Sequence, residues 1–503
     1  MNLTQLPQSS LAKQLFTSLS QCGDADTAFY FNNREYPWQT VKTVVTRLDR
    51  ILSELQLGYQ GQVAFVARNR PMHISCLWSL LITDRCASMI HGYQSTAKII
   101  KDIQQAGFTV VLADEQDWNE ELTTAAQALN CLGIAIGSND IEVRTQPSDP
   151  ASTAQPYRDD DTAAAIETLS SGTTGAPKRI QLSRRNLAAS TNAAVQSVSQ
   201  MNSGARTPII SVLPLSNISG VYATTPALAM AMPLAILDKF QLDDWLALVE
   251  RFQPATADVP PAALASLYQR QLPAEKFRSI KVIRTGAAPL DKKVQAYFQN
   301  ELGIPVNLSY GASEFCGVIT TWTMADLQAY SATKMGSCGR ALPGVALRIT
   351  DPDSGEVLPP DHVGRLEAKV DRVGPEWIAT SDQARIDRDG FMWFEGRLEE
   401  TIFRGGFKLS PLLIAEQIRL HPDLTDAAVI GVDDPRLGQI PVAVVVAKSP
   451  DQKPDDTELT NFLRHHLSAP EIPSQFIYVD TLPRTASYKI SLVELQQLIE
   501  RSR

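Results

Sequence analysis

The chain has 503 residues, 44% hydrophobic and 20% charged, with a formal net charge of −9. That length fits about two to four structural units with a sizeable core, and the negative overall field disfavours nucleic acid and anionic membrane surfaces as partners. The six cysteines, Cys22, Cys76, Cys86, Cys131, Cys316 and Cys338, form no CxxC pair and have no histidine at ligand spacing, so neither a disulfide frame nor a zinc site is expected and a reducing compartment is the default.

The first ten residues are polar, without a basic segment leading into an apolar run, and the apolar stretch 76–82 is too short to cross a bilayer. The expectation is a cytoplasmic protein without a membrane span. Residues 41–57 carry Val44, Val45, Leu48, Ile51, Leu52 and Leu55 at helical spacing. Residues 62–66 suit a buried strand, 72–82 a buried helix and 108–113 another strand. Alternating helices and strands predict an α/β layered domain. Residues 148–161, rich in Pro, Ser, Ala and Asp, read as a loop or linker. A short strand at 163–169 runs straight into a Gly/Ser/Thr-rich loop, and a helix is expected beyond Ser183. Further buried strands fit 209–213, 234–237 and 280–284.

Between 336 and 396 the pattern changes to short runs at 345–350, 365–370 and 391–394, with a strong turn at Asp387-Arg388-Asp389-Gly390. This reads as a β-rich subdomain. The segment after Arg397 has its own strands, at 427–432, 442–447 and 475–479, and its own helices. The predicted division is an N-terminal domain of residues 1–397, with the β-rich part at 336–396, and a C-terminal α+β domain of residues 398–503. The adjacent His465 and His466 fit a solvated helix end.

The most informative stretch is LSSGTTGAPKRIQLSRRNL, from Leu169. Ser170, Ser171, Gly172, Thr173, Thr174 and Gly175 offer backbone N–H groups and hydroxyls in a tight turn, and Lys178 adds a cation. Such a loop wraps phosphate oxygens, because glycine lets the backbone approach closely. It is not a Walker loop, which needs Gly-Lys followed by Ser or Thr; here Pro177 precedes Lys178 and Arg179 follows it. Taken alone, SGTTG also fits a polar strand-to-helix turn.

This stretch resembles the phosphate-binding loop of the adenylate-forming superfamily, which contains acyl-CoA synthetases, aryl-CoA ligases, peptide-synthetase adenylation domains and luciferases. The resemblance extends over nearly the whole chain, since later segments match in order. It implies a large N-terminal domain with layered sheets and a small mobile C-terminal domain. LSYGASEFCG, from Leu308, resembles the Tyr-Gly-x-Thr-Glu segment, which implies Tyr310 against adenine, Ser313 near the α-phosphate and Glu314 on Mg²⁺. RTGAAPL, from Arg284, resembles the adenine-side loop, with Gly286, Ala287 and Ala288 close to the base. TSDQARIDRDGFMWFEGRLEE, from Thr380, implies Asp382 on the ribose hydroxyls, Arg397 on ribose or phosphate, and Glu399 as hinge. GGFKLSP, with Gly405, Gly406 and Lys408, resembles the lining of the thiol tunnel. LPRTASYKIS, from Leu482, resembles the segment with the catalytic lysine, here Lys489, acting together with Lys178, Glu314 and Thr174. Seen singly, Glu314 fits a surface ion pair, Asp382 a structural residue near a turn, Gly405-Gly406 a glycine-rich hairpin, and Lys489 a solvated lysine.

The resemblance therefore implies activation of a carboxylic acid by ATP and Mg²⁺, with pyrophosphate release and transfer to a thiol, most simply CoA. The alternatives are loading of a carrier-protein phosphopantetheine or an amine, and a catalytically inactive nucleotide-binding protein. A monomer or homodimer is expected. The acid is expected near Asn217, Val221, Arg284, Gly286, Gly311 and Ala312, and the CoA phosphates near Arg184, Arg185, Arg404 and Lys408. LPLSNISG departs from the family pattern by placing Asn217 where His is frequent, and Asn cannot titrate near neutral pH. No Asp lies between Ser216 and Tyr222, which points to an acid without an α-amino group. Tyr488 replaces a usual glycine before Lys489, and Leu413 and Ala415 stand where glutamates are frequent.

Overall fold

Helix Trp38–Glu54 forms because Val41, Val44, Val45, Leu48 and Leu52 recur every three or four residues, and all five are buried. It is part of a computed structural model of the chain. The structure describes every residue except 1–2, 5, 55–61, 149–160, 170–178, 202–206, 450–451, 486–488 and 503, together with the side chains of 197–201. The chain forms two compact units, one of residues 1–287, 297–306 and 311–318, the other of residues 288–296, 307–310 and 319–503.

The first unit is built on a seven-stranded sheet in the order Ile141–Thr145, Leu132–Ile136, Val110–Asp114, Gln62–Ala67, Cys86–His91, Ala164–Leu169, Arg179–Ser183. Its five central strands are parallel and the two edge strands antiparallel. Burial on both faces explains why the parallel strands read as near-continuous apolar runs. Helix Pro71–Ile82 starts on a proline, whose missing N–H costs nothing at a first turn, and all twelve of its residues are buried. Trp78 from this helix stacks between Phe29 (5.3 Å) and Trp38 (6.0 Å). A smaller sheet runs Ile209–Ser211, Leu234–Ile236, Thr27–Phe31, Arg34–Pro37. The strand expected from Phe108 starts at Val110, because Gly107, at φ +66°, closes helix Thr96–Ala106 and leaves Phe108 in the connection. Strand Arg179–Ser183, absent from the sequence reading, precedes the expected helix, here Arg184–Met201.

In the second unit a four-stranded antiparallel sheet runs Val345–Thr350, Gly364–Val370, Trp377–Ile386, Met392–Arg397. The expected turn is present, with Gly390 N donating to Asp387 O at 3.0 Å. Strand Trp377–Ile386 escaped the sequence reading because polar residues occupy both of its faces and it shows little alternation. A second sheet pairs Phe407–Leu409, Ile402–Arg404, Gly438–Ala447 and Leu424–Asp434, with Phe476–Tyr478 parallel to Gly438–Ala447. Period-two alternation sends Ala443 and Val445 to one face, with Ile414, Ile418 and Leu459, and Val442 and Val444 to the other, with Leu495 and Ile499. His465 and His466 follow helix Asp456–Leu463 and are exposed. All six cysteines are free and buried, and burial pushes the Cys76, Cys86, Cys131 and Cys338 thiols up. Among the described residues no helix is long and apolar enough to cross a membrane.

Candidate active site

Three expected nucleotide residues converge in the second unit. Asp382 and Arg397 are cross-strand partners on Trp377–Ile386 and Met392–Arg397. Arg397 Nε lies 3.3 Å from Asp382 Oδ1, and the Tyr310 hydroxyl donates to Asp382 Oδ2 at 2.5 Å. The Tyr310 ring stacks on Phe394, with centroids 6.3 Å apart and planes 25° from parallel. The backbone N–H of Asp382 donates to Thr380 Oγ1 (3.1 Å), whose hydroxyl donates to Leu366 O (2.7 Å), so the carboxylate is anchored from below. Asp382 is 8% exposed, and its Oδ1, despite the neighbouring guanidinium, accepts no hydrogen bond among the described residues. A buried carboxylate oxygen with spare capacity suits a hydroxyl donor such as a ribose.

Lys489 belongs to the same unit. Arg484 and Ile490 form an isolated antiparallel bridge, and Thr485 N donates to Lys489 O at 2.7 Å, so the backbone of the lysine is tied to that of Thr485. Glu400, in the short 3₁₀ turn Leu398–Glu400, lies within electrostatic reach of it. Burial pushes the Glu400 carboxyl up, and Asp382 and Glu399 push the same way. The positive charges of Arg397 and Lys489 pull it back. Glu400 is a member of this charged group that sequence reasoning missed. RLEE offers two adjacent acids, and only the structure turns Glu400 inward while Glu399 stays exposed.

Of the other expected residues, Ala288, Glu399, Arg404, Gly405, Gly406 and Lys408 also belong to the second unit, and the rest belong to the first. Ser170, Ser171, Gly172, Thr173, Thr174, Gly175 and Lys178 fall outside the described residues, as does Tyr488. The strands that bracket the loop are antiparallel partners, with Leu169 opposite Arg179, so residues 170–178 join two adjacent strands. Ser313 and Glu314 share the 3₁₀ turn Ser313–Phe315. The exposed Glu314 carboxylate has no ion pair among the described residues, a donor that suits a hard divalent cation. Gly286 ends strand Val282–Gly286, and Ala287 follows at φ +65°. A left-handed alanine costs about 1 kcal/mol, strain of the kind that collects at functional loops.

Asn217 precedes helix Ile218–Ala229 without capping it through its side chain, and Val221 is fully buried. Gly311 leaves no room for a side chain, since a Cβ there would stand 2.3 Å from Gly317 O. Tyr222, another residue sequence reasoning passed over, donates its hydroxyl to Cys316 O at 2.6 Å. No motif marks it, because its role depends on the bare backbone of Gly317 beneath its ring.

Four of the expected cations are already engaged. Arg184, expected among the CoA contacts, is instead 1% exposed and paired with buried Asp84 at 3.3 Å. Arg404 donates to Pro470 O (2.5 Å) and Ile472 O (3.2 Å). Arg284 donates to Asp258 through Nε (2.7 Å) and Nη2, and that carboxylate raises its already high pKa. Gly405 and Gly406, at φ +55° and +90°, turn the hairpin Ile402–Arg404/Phe407–Leu409. Lys408 pairs with Asp353 at 2.9 Å, both exposed, and Arg185 is exposed.

Residues 16–373 match the family model of the AMP-binding enzymes, and residues 414–489 match the model of the AMP-binding enzyme C-terminal domain. An indoleacetate–CoA ligase from Aromatoleum aromaticum is 29% identical over 347 residues, 66% of each chain. The chain thus spans about two thirds of the length of the curated relatives it matches. ATP-bound MatB from Rhodopseudomonas palustris superposes with a TM-score of 0.82 at 21% identity, covering 97% of this chain and 98% of the other. The o-succinylbenzoate CoA synthetase of Bacillus subtilis, in complex with its acyl-adenylate intermediate, gives 0.77 at 22% identity over 98% and 99%. At those identities the two structures establish a shared mixed α/β fold, with a large N-terminal domain and a smaller C-terminal one. With most of its length under the first model, the chain belongs to the family of AMP-binding enzymes.

Proposed function

We propose that this protein activates a carboxylic acid with ATP and transfers the acyl group to the thiol of CoA. A carboxylate oxygen attacks the α-phosphorus, the bond to the β-phosphate oxygen breaks, and pyrophosphate leaves. The thiolate sulfur then attacks the carbonyl carbon of the mixed anhydride, and AMP departs. The first step brings two anions together, so its barrier is largely electrostatic and falls when fixed positive charge and aligned donors are in place.

The observation that supports this reading most is the Tyr310–Asp382–Arg397 cluster with its spare carboxylate oxygen. In the proposal Asp382 takes the ribose hydroxyls, Tyr310 lies against the base and Arg397 meets ribose or phosphate. Lys489 and Lys178 offset the charge between carboxylate and α-phosphate, with Thr174 and the loop donors around the phosphates. Glu314 would hold Mg²⁺, which when bound supplies charge neutralisation on the triphosphate. The division into residues 1–397 and 398–503, with Glu399 as pivot, and a cytoplasmic monomer or homodimer complete the proposal.

One observation favours a carrier-protein phosphopantetheine or an amine as acceptor instead. Of the four cations expected to meet the CoA phosphates, Arg184 and Arg404 serve the fold, and Lys408 already has a partner. The deciding experiment is acid-dependent ATP–pyrophosphate exchange over aliphatic and aromatic acids lacking an α-amino group, followed by product analysis with and without CoA. Lys489→Ala is expected to abolish most exchange while ATP binding persists. Full exchange in that variant would contradict the role given to Lys489, and the absence of exchange with every acid would overturn the activity.

A further inference from the structure

On the acid side of the proposed site, Asn217 ends the segment from Leu213 that leads into helix Ile218–Ala229. Asn69, just past strand Gln62–Ala67, is only 5% exposed, and its amide is wedged against that segment. Its Nδ2 donates to Leu213 O (3.0 Å) and Leu237 O (3.3 Å), and its Oδ1 accepts from Leu215 N (2.7 Å). Both amide protons and the amide oxygen are therefore used on backbone groups of two other chain segments. Aspartate would lack both donors and would set a carboxylate against two carbonyls. Serine at this point has one donor for the same two acceptors.

The neighbours of Asn69 are pinned as well. Arg70 reaches Asp114 (2.6 Å) and Asp238 (3.1 Å), Asp114 also meets the buried His73 (3.1 Å), and Arg68 pairs with Asp117. The clamp thus starts from fixed backbone. Its effect carries forward, since Asn217 N donates to Pro214 O (3.0 Å), and Gly220 lies so close that a Cβ there would stand 2.2 Å from Pro214 O. The first turn of the helix rests on the segment that Asn69 holds.

We infer that Asn69 is a positioning residue for the acid, setting through its side-chain amide where Asn217 and the start of helix Ile218–Ala229 stand. The inference rests on the proposed acid activation, and it concerns a residue that touches neither ATP nor the acid. A misplacement of about 1 Å can cost a positioned reaction on the order of 100-fold.

The test uses the full-length enzyme with Asn69→Asp and, should that variant fail to fold, Asn69→Ser. The apparent KM for the acid in pyrophosphate exchange should rise about tenfold or more, with the KM for ATP within about twofold. Amide hydrogen exchange should quicken within residues 213–221 and remain at wild-type rates elsewhere in the first unit. Equal rises in both KM values, or faster exchange spread across the unit, would reduce Asn69 to a general stability residue and overturn the inference. So would an unchanged KM for the acid. If the wild-type enzyme activates no acid, the proposed function fails, and amide exchange alone then decides: faster exchange confined to 213–221 upholds the clamp, and unchanged exchange refutes it.

Discussion

Asp382 and Arg397 face each other across two antiparallel strands, with Nε 3.3 Å from an Oδ1 that no hydrogen bond among the described residues satisfies. Spare capacity on a buried anion is stable only if something regularly fills it or if the neighbouring cation compensates it. Asp382→Asn keeps the shape, removes the charge and turns one acceptor into a donor. A hydrogen bond to a charged group is worth about 1.5–3 kcal/mol, so ATP affinity should fall about 10- to 100-fold. Titration calorimetry with ATP measures this directly. Wild-type affinity in Asp382→Asn would remove the carboxylate from nucleotide recognition.

The cluster around His91 predicts an acid-sensitive fold. Burial pushes the His91 imidazole down to about 4, with the positive charges of Lys98, Arg68 and Lys239 acting in the same direction. Tyr93 N donates to His91 Nδ1 at 3.0 Å and so favours the neutral ring. In the unfolded chain this group titrates near 6.5, so the unfolded state gains the proton first as pH falls. The contribution is present above about 6.5 and is lost progressively down to about 4, up to roughly 3 kcal/mol in all. His91→Gln should flatten part of the stability loss between those pH values. The buried His73, also pushed down by burial, contributes in the same direction. Urea unfolding at several pH values from 7 to 4.5 distinguishes the outcomes, and identical slopes in variant and wild type would refute the assignment.

Much of the fold was legible because periodicity survives burial. Helices Trp38–Glu54 and Pro71–Ile82 and strands Gln62–Ala67 and Val345–Thr350 match their expected ranges to within about three residues. Strand Trp377–Ile386 was not legible, because polar residues occupy both of its faces and blur the alternation. Asp382 and Arg397 were singled out only through motif resemblance, since they are fifteen positions apart and meet only through strand pairing. Arg184 was misread because sequence shows a charge but not its buried counter-ion. Asn69 and Tyr222 left no signal, since each acts on backbone atoms, and backbone is the same in every sequence.

The Arg184–Asp84 pair predicts a large and asymmetric stability effect. Asp84 is fully buried, accepts from the Ser9 hydroxyl and from Gln8 N at 2.8 Å, and sits at φ +55°. Arg184→Met strands its carboxylate in the core, which should cost about 3–5 kcal/mol. The double variant Asp84→Asn/Arg184→Met removes both charges, and asparagine tolerates the left-handed backbone. Its loss in urea unfolding should be smaller than that of Arg184→Met alone. A double variant less stable than the single would mean that the pair contributes through something other than mutual neutralisation.

Gly317 and Tyr222 give the most local test of how the first unit is packed. Gly317 lies at φ +117°, and a Cβ there would come within 2.3 Å of the Tyr222 ring. Gly317→Ala therefore meets two separate penalties, an unfavourable backbone conformation and an overlap that displaces the ring and breaks its hydrogen bond to Cys316 O. Each is worth about 1–3 kcal/mol, so a loss of about 2–6 kcal/mol is expected. Tyr222→Ala removes the obstacle but leaves the backbone term, so Gly317→Ala should cost less in that background than in the wild type. A double-mutant cycle by chemical unfolding reads the difference as a coupling of about 1–3 kcal/mol. Strict additivity would show that the ring yields freely to the new methyl group, and that the glycine is required for its backbone angle alone.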